Sequence, residues 1–354
     1  MAEETTGLKE ARPTILVDNQ VNGPLGGGLL SLIIVENTNG LYRCEARFGN
    51  WGEKNSTTDF LYFDRRVLDF GKDFEIQLGQ DSIFKGKIMG LEAIFPEGQS
   101  PEISVLAEDR FQDLRMTRRT RTFSDVSDAD VIKQIATDHG LTPEVDVPGP
   151  TYKVLAQVNQ SDLAFIRDRA RSIDAEVWMT GNTLHAKAHT GRNGDKLKMT
   201  YGNELREFTV LADLAMQRTS VAVNGWNVSS KKGLQFEATD SVISSELNGD
   251  TSGVSILQSA LGQRKEALAH TVPLNDQEAQ FEAEAFFKMS ARRFVVGRGV
   301  ADTHKSLRAG SQLDLEGLGP LFNGKYYVAE VKHLFDSTKG LRSEFRSERV
   351  GIGT

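Results

Sequence analysis

Residues 68–108 are answered, strand for strand, by residues 307–348. In the first copy Gly71 precedes Phe74-Glu75-Ile76 and then Ile83-Phe84-Lys85-Gly86-Lys87. In the second, Gly310 precedes Leu313-Asp314-Leu315 and then Leu321-Phe322-Asn323-Gly324-Lys325. Glu92 answers to Glu330, Phe95 to Phe335 and Glu108 to Glu348, with one-residue shifts between blocks. A repeat of this size constrains the fold strongly, because one architecture must serve both copies. Two unrelated antiparallel modules that share only turn glycines are the weaker alternative, since the ordered matches run through several strands.

The chain of 354 residues is long enough for two or three domains. Its 39% hydrophobic and 26% charged residues are ordinary for a globular protein, so nothing in composition points to a disordered chain. The net charge of −7 gives no global electrostatic case for nucleic-acid binding. Cys44 stands alone, which excludes an internal disulfide and a cysteine-based zinc site. The first six residues are acidic and polar rather than a secretory signal, and no apolar run spans a bilayer. Folding in a reducing cytosol, with no direct membrane insertion, is the expectation.

Residues 1–12 are expected to be extended or disordered. Strands follow at 29–35 and 41–48, separated from the start by a loop at Asn22-Gly23-Pro24 and Gly26-Gly27-Gly28. Glycines 71, 79, 86 and 90 punctuate short strands, which favours a small β-barrel or sandwich over a helical domain.

The composition changes after Leu114. Arg115, Arg118, Arg119 and Arg121 form a basic strip. Ser127 with Asp130 opens a helix in the manner of a capping box, and Gly140 stops it. A strand at 152–158 leads to Ser161, a cap for a second helix with Leu163, Ile166, Ala170 and Ile173 on one face. A hairpin turns at Gly181-Asn182. Further strands are expected at 197–201, 205–211 and 220–228, then helices at 256–269 and, capped by Asn275, at 276–293.

The fold class is therefore β-rich α+β: two related small β-barrels, an intervening α+β module, and a partly helical insertion in the second barrel. The expected boundaries are 1–114, 115–190 and 191–354, with the insertion at about 230–293.

Signals for chemistry are sparse. His185 and His189 lie four apart, but on a hairpin rather than on one helical turn, so they do not form a metal pair. The triple glycine at 26–28 lacks a following Lys-Ser/Thr and reads as a loop, not a phosphate cradle. Asp128/Asp130 and Glu282/Glu284 suit helix starts and solvated faces. No catalytic, cofactor-binding or metal-ligating residues are assigned. In the arginine strip, salt bridges at a domain or subunit junction are favoured over phosphate contacts, because acidic residues adjoin it and aromatics do not alternate with it. Arg119, Arg121 and Arg169 are the junction candidates. Leu163, Phe165, Ile166 and Trp178 are the candidates for the structural core.

Three blocks in the middle of the chain carry a resemblance. They are Arg119-Thr120-Arg121-Thr122-Phe123 with Asp128-Ala129-Asp130-Val131-Ile132, the segment Ile135-Ala136-Thr137-Asp138-His139-Gly140-Leu141, and Gln157-Val158-Asn159-Gln160-Ser161-Asp162-Leu163-Ala164-Phe165-Ile166-Arg167-Asp168-Arg169-Ala170. With the Ala175–Trp178 and Thr183–His185 hairpin and the last strands from Tyr326 to Arg349, their order resembles the phage late control D family. The resemblance covers nearly the whole chain and is weakest at 230–275.

What the resemblance implies is a baseplate hub, similar to that of contractile phage tails and to the hub part of type VI secretion spike proteins. Members form homotrimers in which two barrels per subunit make a pseudo-six-fold ring between a hexameric inner tube and a trimeric spike. The implied partners are further copies of the chain, an inner tube protein, a spike protein and other baseplate proteins. Because the chain stops at Thr354, shortly after the second barrel, the spike is expected to be a separate polypeptide. That favours a phage tail or an extracellular contractile injection system. Two other classes stay open: a tail-associated cell-wall or polysaccharide hydrolase, suggested by carboxylates on a β-rich scaffold, and a glycan- or receptor-binding β module. The second is suggested by Trp51, Trp178 and Trp226, which as core residues would not serve it.

Overall fold

The structure, a computed structural model, describes residues 12–192, 194–227, 230–269 and 273–353. The expectations for residues 1–11 and for Val228 fall outside them.

The first half of the β framework comprises β1 (Thr14–Val17), β2 (Gln20–Val21), β3 (Leu29–Asn37), β4 (Arg43–Gly49), β7 (Asp73–Leu78), β8 (Asp81–Ile94) and β9 (Glu102–Glu108), with a side hairpin of β5 (Trp51–Lys54) and β6 (Thr57–Phe60). The triple glycine is not a loop but part of helix α1 (Gly23–Gly28), in which Asn22 Oδ1 accepts the Leu25 N–H. Pro24 suits a first turn, and burial of Leu25 holds the helix down, which outweighs the low propensity of its glycines.

The module comprises α2 (Phe111–Arg115), β10 (Arg118–Ser127), α3 (Asp128–Asp138), β11 (Thr142–Asp146), β12 (Thr151–Ser161), α4 (Asp162–Ser172), β13 (Ala175–Thr180) and β14 (Thr183–Ala188). Its helix starts are those legible in the sequence. Ser127 and Asp130 exchange the reciprocal bonds of a capping box, and Ser161 accepts the Ala164 N–H. Arg115 of the basic strip ends α2, Arg118, Arg119 and Arg121 lie on β10, paired with β12, and β11 carries Pro143 at the edge of a sheet beside β14. Leu41, Phe111 and Leu114 complete the module core with Leu163, Phe165 and Ile166.

The second half comprises β15 (Lys196–Thr200), β16 (Leu205–Ala212), β21 (Val295–Asp302), β22 (Gln312–Glu316), β23 (Gly324–Asp336) and β24 (Gly340–Arg349). Between β16 and β21 lie β17 (Ser220–Asn227), β18 (Lys232–Ala238), β19 (Thr251–Ser252), α5 (Gly253–Leu261), β20 (Lys265–Leu268) and α6 (Asp276–Arg292); β25 (Gly351–Ile352) pairs with β19. The helix expected at 256–269 ends at Leu261, where Gly262 takes a positive φ of 76°, and the chain turns into β20. Asn275 caps α6 as expected. Strands β17, β18 and β20 with α6 have a core of their own around Val221, Val223 and Phe287.

The two halves are joined edge to edge. Strand β3 pairs antiparallel with β23, so one sheet of 13 strands runs through both. Each half keeps its own core, except that Phe335 of β23 enters the core of the first half.

The repeat is exact in hydrogen-bond register and longer than the sequence suggested. β3-β4-β9-β8-β7 corresponds to β16-β21-β24-β23-β22. Lys87 faces Glu108 as Tyr327 faces Glu348, and Ile88 faces Ala107 as Val328 faces Ser347. A register shift follows in both, between Ile88 and Gly90 and between Val328 and Glu330. A second shared shift lies between Leu29 and Ser31 and between Leu205 and Glu207. The Gly71 N–H donates to the Ile88 carbonyl (2.8 Å) as the Gly310 N–H donates to the Val328 carbonyl (2.8 Å). Phe95 and Glu108 do correspond to Phe335 and Glu348. The two Phe-x-Gly-Lys segments do not: Phe74 faces Gly86, whereas Leu313, in the place of Phe74, faces Tyr326. Glu330 therefore corresponds to Gly90, not Glu92. A Cβ at Gly86 would overlap the Glu108 carbonyl oxygen, which fixes that glycine for a local reason.

Candidate assembly interface

Buried charge concentrates where the three parts of the chain meet. At the seam, His333 of β23 faces Ile34 of β3. His333 is fully buried, with Nδ1 2.7 Å from Ser343 Oγ, and burial pushes its imidazole down to about 4. Glu36, 1% exposed on β3, accepts a 2.8 Å bond from Arg308 Nε across the seam. Sequence separation hid this pair, since β3 and the turn before β22 are far apart in the chain.

Arg192 ties all three parts together. Its guanidinium donates to Glu176 Oε2 (2.8 Å), Tyr42 Oη (3.0 Å) and the Ala309 carbonyl (2.6 Å). Trp178 packs one face against Arg192, 4.2 Å from ring centre to guanidinium carbon, and stacks on His185 at 5.0 Å. Burial pushes the Glu176 carboxyl up, but His189, Arg192 and the Tyr327 hydroxyl (2.6 Å) together hold it at about 2. Arg292 of α6 clamps Asp174 of the module and Glu246 of the insertion. Arg167 donates to the Gly40 carbonyl at 2.9 Å, joining α4 to the first half. Beside it Asp109 accepts the N–H groups of Tyr42 (2.8 Å) and Phe111 (2.9 Å), yet burial raises its carboxyl to about 7.

The arginines singled out by sequence lie elsewhere. Arg121 bonds Gln157, Asp138 and Asp162, and Arg119 approaches Asp162 at 3.2 Å. Arg169 forks onto Asp128 (2.6 and 3.0 Å) beneath the Tyr152 ring. All these partners belong to the module itself, whereas Arg167, Arg192, Arg292 and Arg308, with Arg110 on Asn182 and Arg115 of the strip on Glu108, reach across a boundary between parts. Among the core candidates, Leu163, Phe165 and Ile166 are buried, and Trp178 is half-buried where the module meets the first half. Trp51 and Trp226 are 44% and 53% exposed, against the expectation of core positions.

His185 approaches Glu144 (3.2 Å) and His189 approaches Glu176 (2.9 Å), each a separate pair. Among the described residues no group of three or more His, Cys, Asp or Glu is placed to hold a metal, and no helix is long and apolar enough to cross a membrane. What the buried network does chemically is hold: Glu36, Asp174 and Glu176 are each paired with an arginine from another part of the chain.

Comparison with known proteins gives a family and a fold. The family model described as Alg8 N-terminal domain matches residues 44–336. No curated protein matches the chain in sequence. The fold is similar to that of the 43 kDa tail protein of prophage MuSo2 from Shewanella oneidensis, with a TM-score of 0.71, 9% identity, and coverage of 96% of this chain and 98% of that one. A tail protein from Neisseria meningitidis MC58 gives 0.67 at 11% identity, with 97% of both chains covered. The E. coli c3393 protein, a component of the type VI secretion system, gives 0.56 at 11% identity, covering 92% of this chain and 76% of that one.

Proposed function

The chain belongs to the Alg8 N-terminal domain family, and from its fold and internal repeat we propose that it is a non-catalytic hub protein of a contractile tail or injection particle. It assembles as a homotrimer whose six half-sheets form a pseudo-six-fold ring. The parts 1–114, 115–190 and 191–354 are its building blocks. The ring adapts a hexameric inner tube to a trimeric spike, with other baseplate proteins around it.

One observation carries the reading: five strands recur with the same two register shifts, and the copies sit side by side in one sheet. A subunit that presents one scaffold twice meets a six-fold partner with three copies of itself. The tail proteins and the secretion component of like fold support the same reading. The buried arginine clamps suit it too, since they fix the angle between the two halves.

The test is averaged electron images of the purified protein, alone and with its particle's inner tube protein. A three-fold ring that caps the tube is the expected result. A two-fold or strictly six-fold particle, or a ring that ignores the tube, would sink the proposal.

A further inference from the structure

The seam between β23 and β3 has a counterpart that this chain leaves unfilled. Within the chain, residues 330–336 of β23 pair with residues 31–37 of β3. The repeat maps the first segment onto residues 90–96 at the end of β8 and the second onto residues 207–213 in and after β16. Among the described residues, β8 pairs from 90 onward with β9 alone, and β16 pairs along 207–212 with β21 alone. Each half thus presents one unpaired edge.

We infer that these edges pair with each other between two copies of the chain, antiparallel and in the register of the seam. The inference rests on the hub reading and names its subunit contact. The occupant is a second copy because the complementary edge of the observed seam exists on this same chain.

Exposure agrees position by position. On the paired edges, Val331, His333 and Phe335 and their partners Leu32 and Ile34 are all buried. On the unpaired edges the same positions hold Leu91, Ala93 and Phe95, facing Phe208 and Val210, and all are half-buried or exposed. An edge strand this apolar is a pairing template unless charge or proline blunts it; residues 208–212 read Phe-Thr-Val-Leu-Ala, and on the facing edge Glu92 and Pro96 fall at non-hydrogen-bonded positions, so Pro96 removes no donor from the ladder. The donors are aligned as well. The Thr38 N–H donates to the Ala329 carbonyl across the seam (3.1 Å), and the period of two carries outward-facing donors along β3. The corresponding donors on β16 are Phe208, Val210 and Ala212, while the Asp213 N–H turns inward to the Phe294 carbonyl (2.9 Å). Because β8 of one copy meets β16 of the next, the contact is heterologous and closes only as a ring.

In this register Glu92 faces Leu211, as Lys332 faces Val35, at a non-hydrogen-bonded pair where Cα atoms lie about 4.5 Å apart, close enough for a disulfide. Both residues are exposed, and native Cys44 is buried. The experiment oxidises Glu92→Cys/Leu211→Cys mildly and reads chain number on a non-reducing gel, with light scattering before oxidation. The expected result is cross-linked species up to three chains for the double variant. Each single variant, and the mismatched Glu92→Cys/Glu207→Cys pair, stay at the mass of one chain. A double variant that scatters as a trimer without cross-linking overturns the edge pairing and leaves the hub reading intact. A protein that scatters as a monomer before oxidation overturns both.

Discussion

Phe95 and Phe335 occupy the same place in the two halves of the sheet, yet Phe335 is 3% exposed and Phe95 63%. The difference is one neighbouring strand. Phe335 lies opposite Leu32 across the seam and fills the core of the first half. Among the described residues Phe95 has no strand on that edge and gathers instead with Phe60 and Phe63, at centroid distances of 6.2 and 5.9 Å. The repeat therefore supplies two like scaffolds, and the seam decides which positions of each become core.

Acid is predicted to loosen the seam through His333. Burial holds its folded value at about 4, below the usual 6.5 of a free imidazole, with Glu36 opposing and Arg308 reinforcing the shift. A depressed histidine favours the folded state above the unfolded value, and that contribution is lost as pH falls from about 6.5 toward 4. The full loss is about 3 kcal/mol. Asp109 acts with the opposite sign, its raised carboxyl favouring the folded state as pH falls through about 7. Urea midpoints of the native protein and of His333→Gln, compared between pH 7 and 4.5, isolate the histidine. The variant is expected to show the smaller drop.

Ile166→Asp is predicted to cost about 3 kcal/mol or more, because it places an unpaired charge at a fully buried position of α4. Thermal or urea unfolding measures it. A variant that unfolds like the native protein would show that this face of α4 tolerates water.

The clamp arginines are predicted to matter more than the strip. Arg292→Ala strands Asp174 and Glu246 in a buried site, at a cost of about 3–5 kcal/mol. Arg119→Ala removes a partner that is 40% exposed from Asp162, which keeps Arg121 and Gln157, and costs about 1 kcal/mol or less. Equal losses in urea unfolding would contradict the assignment of the boundary to Arg292.

What was legible in the sequence was local. The Ser127–Asp130 box, the Ser161 and Asn275 caps and the Gly181-Asn182 hairpin each depend on residues a few positions apart, and each is where the sequence places it. The repeat was legible as a pattern but aligned two residues out at Phe-x-Gly-Lys, because Gly86 and Gly324 answer to different local needs. Gly86 makes room for the Glu108 carbonyl, and Gly324 takes a φ of 128° beside Arg349. The extension of the repeat into β3, β4, β16 and β21 left no trace in residue identity, since register and not side chain is what the copies share. Arg192 and Arg292 were missed because their carboxylates come from other parts of the chain. The strip at 118–121 drew attention by being contiguous, while its partners lie within the module.

The central claim is that three copies close into one ring, and the mass of the purified protein in solution tests it most directly. Light scattering at micromolar concentration should give three times the 39.1 kDa chain mass, unchanged on dilution over the range that an obligate interface withstands. A mass of one or two chains would contradict the account.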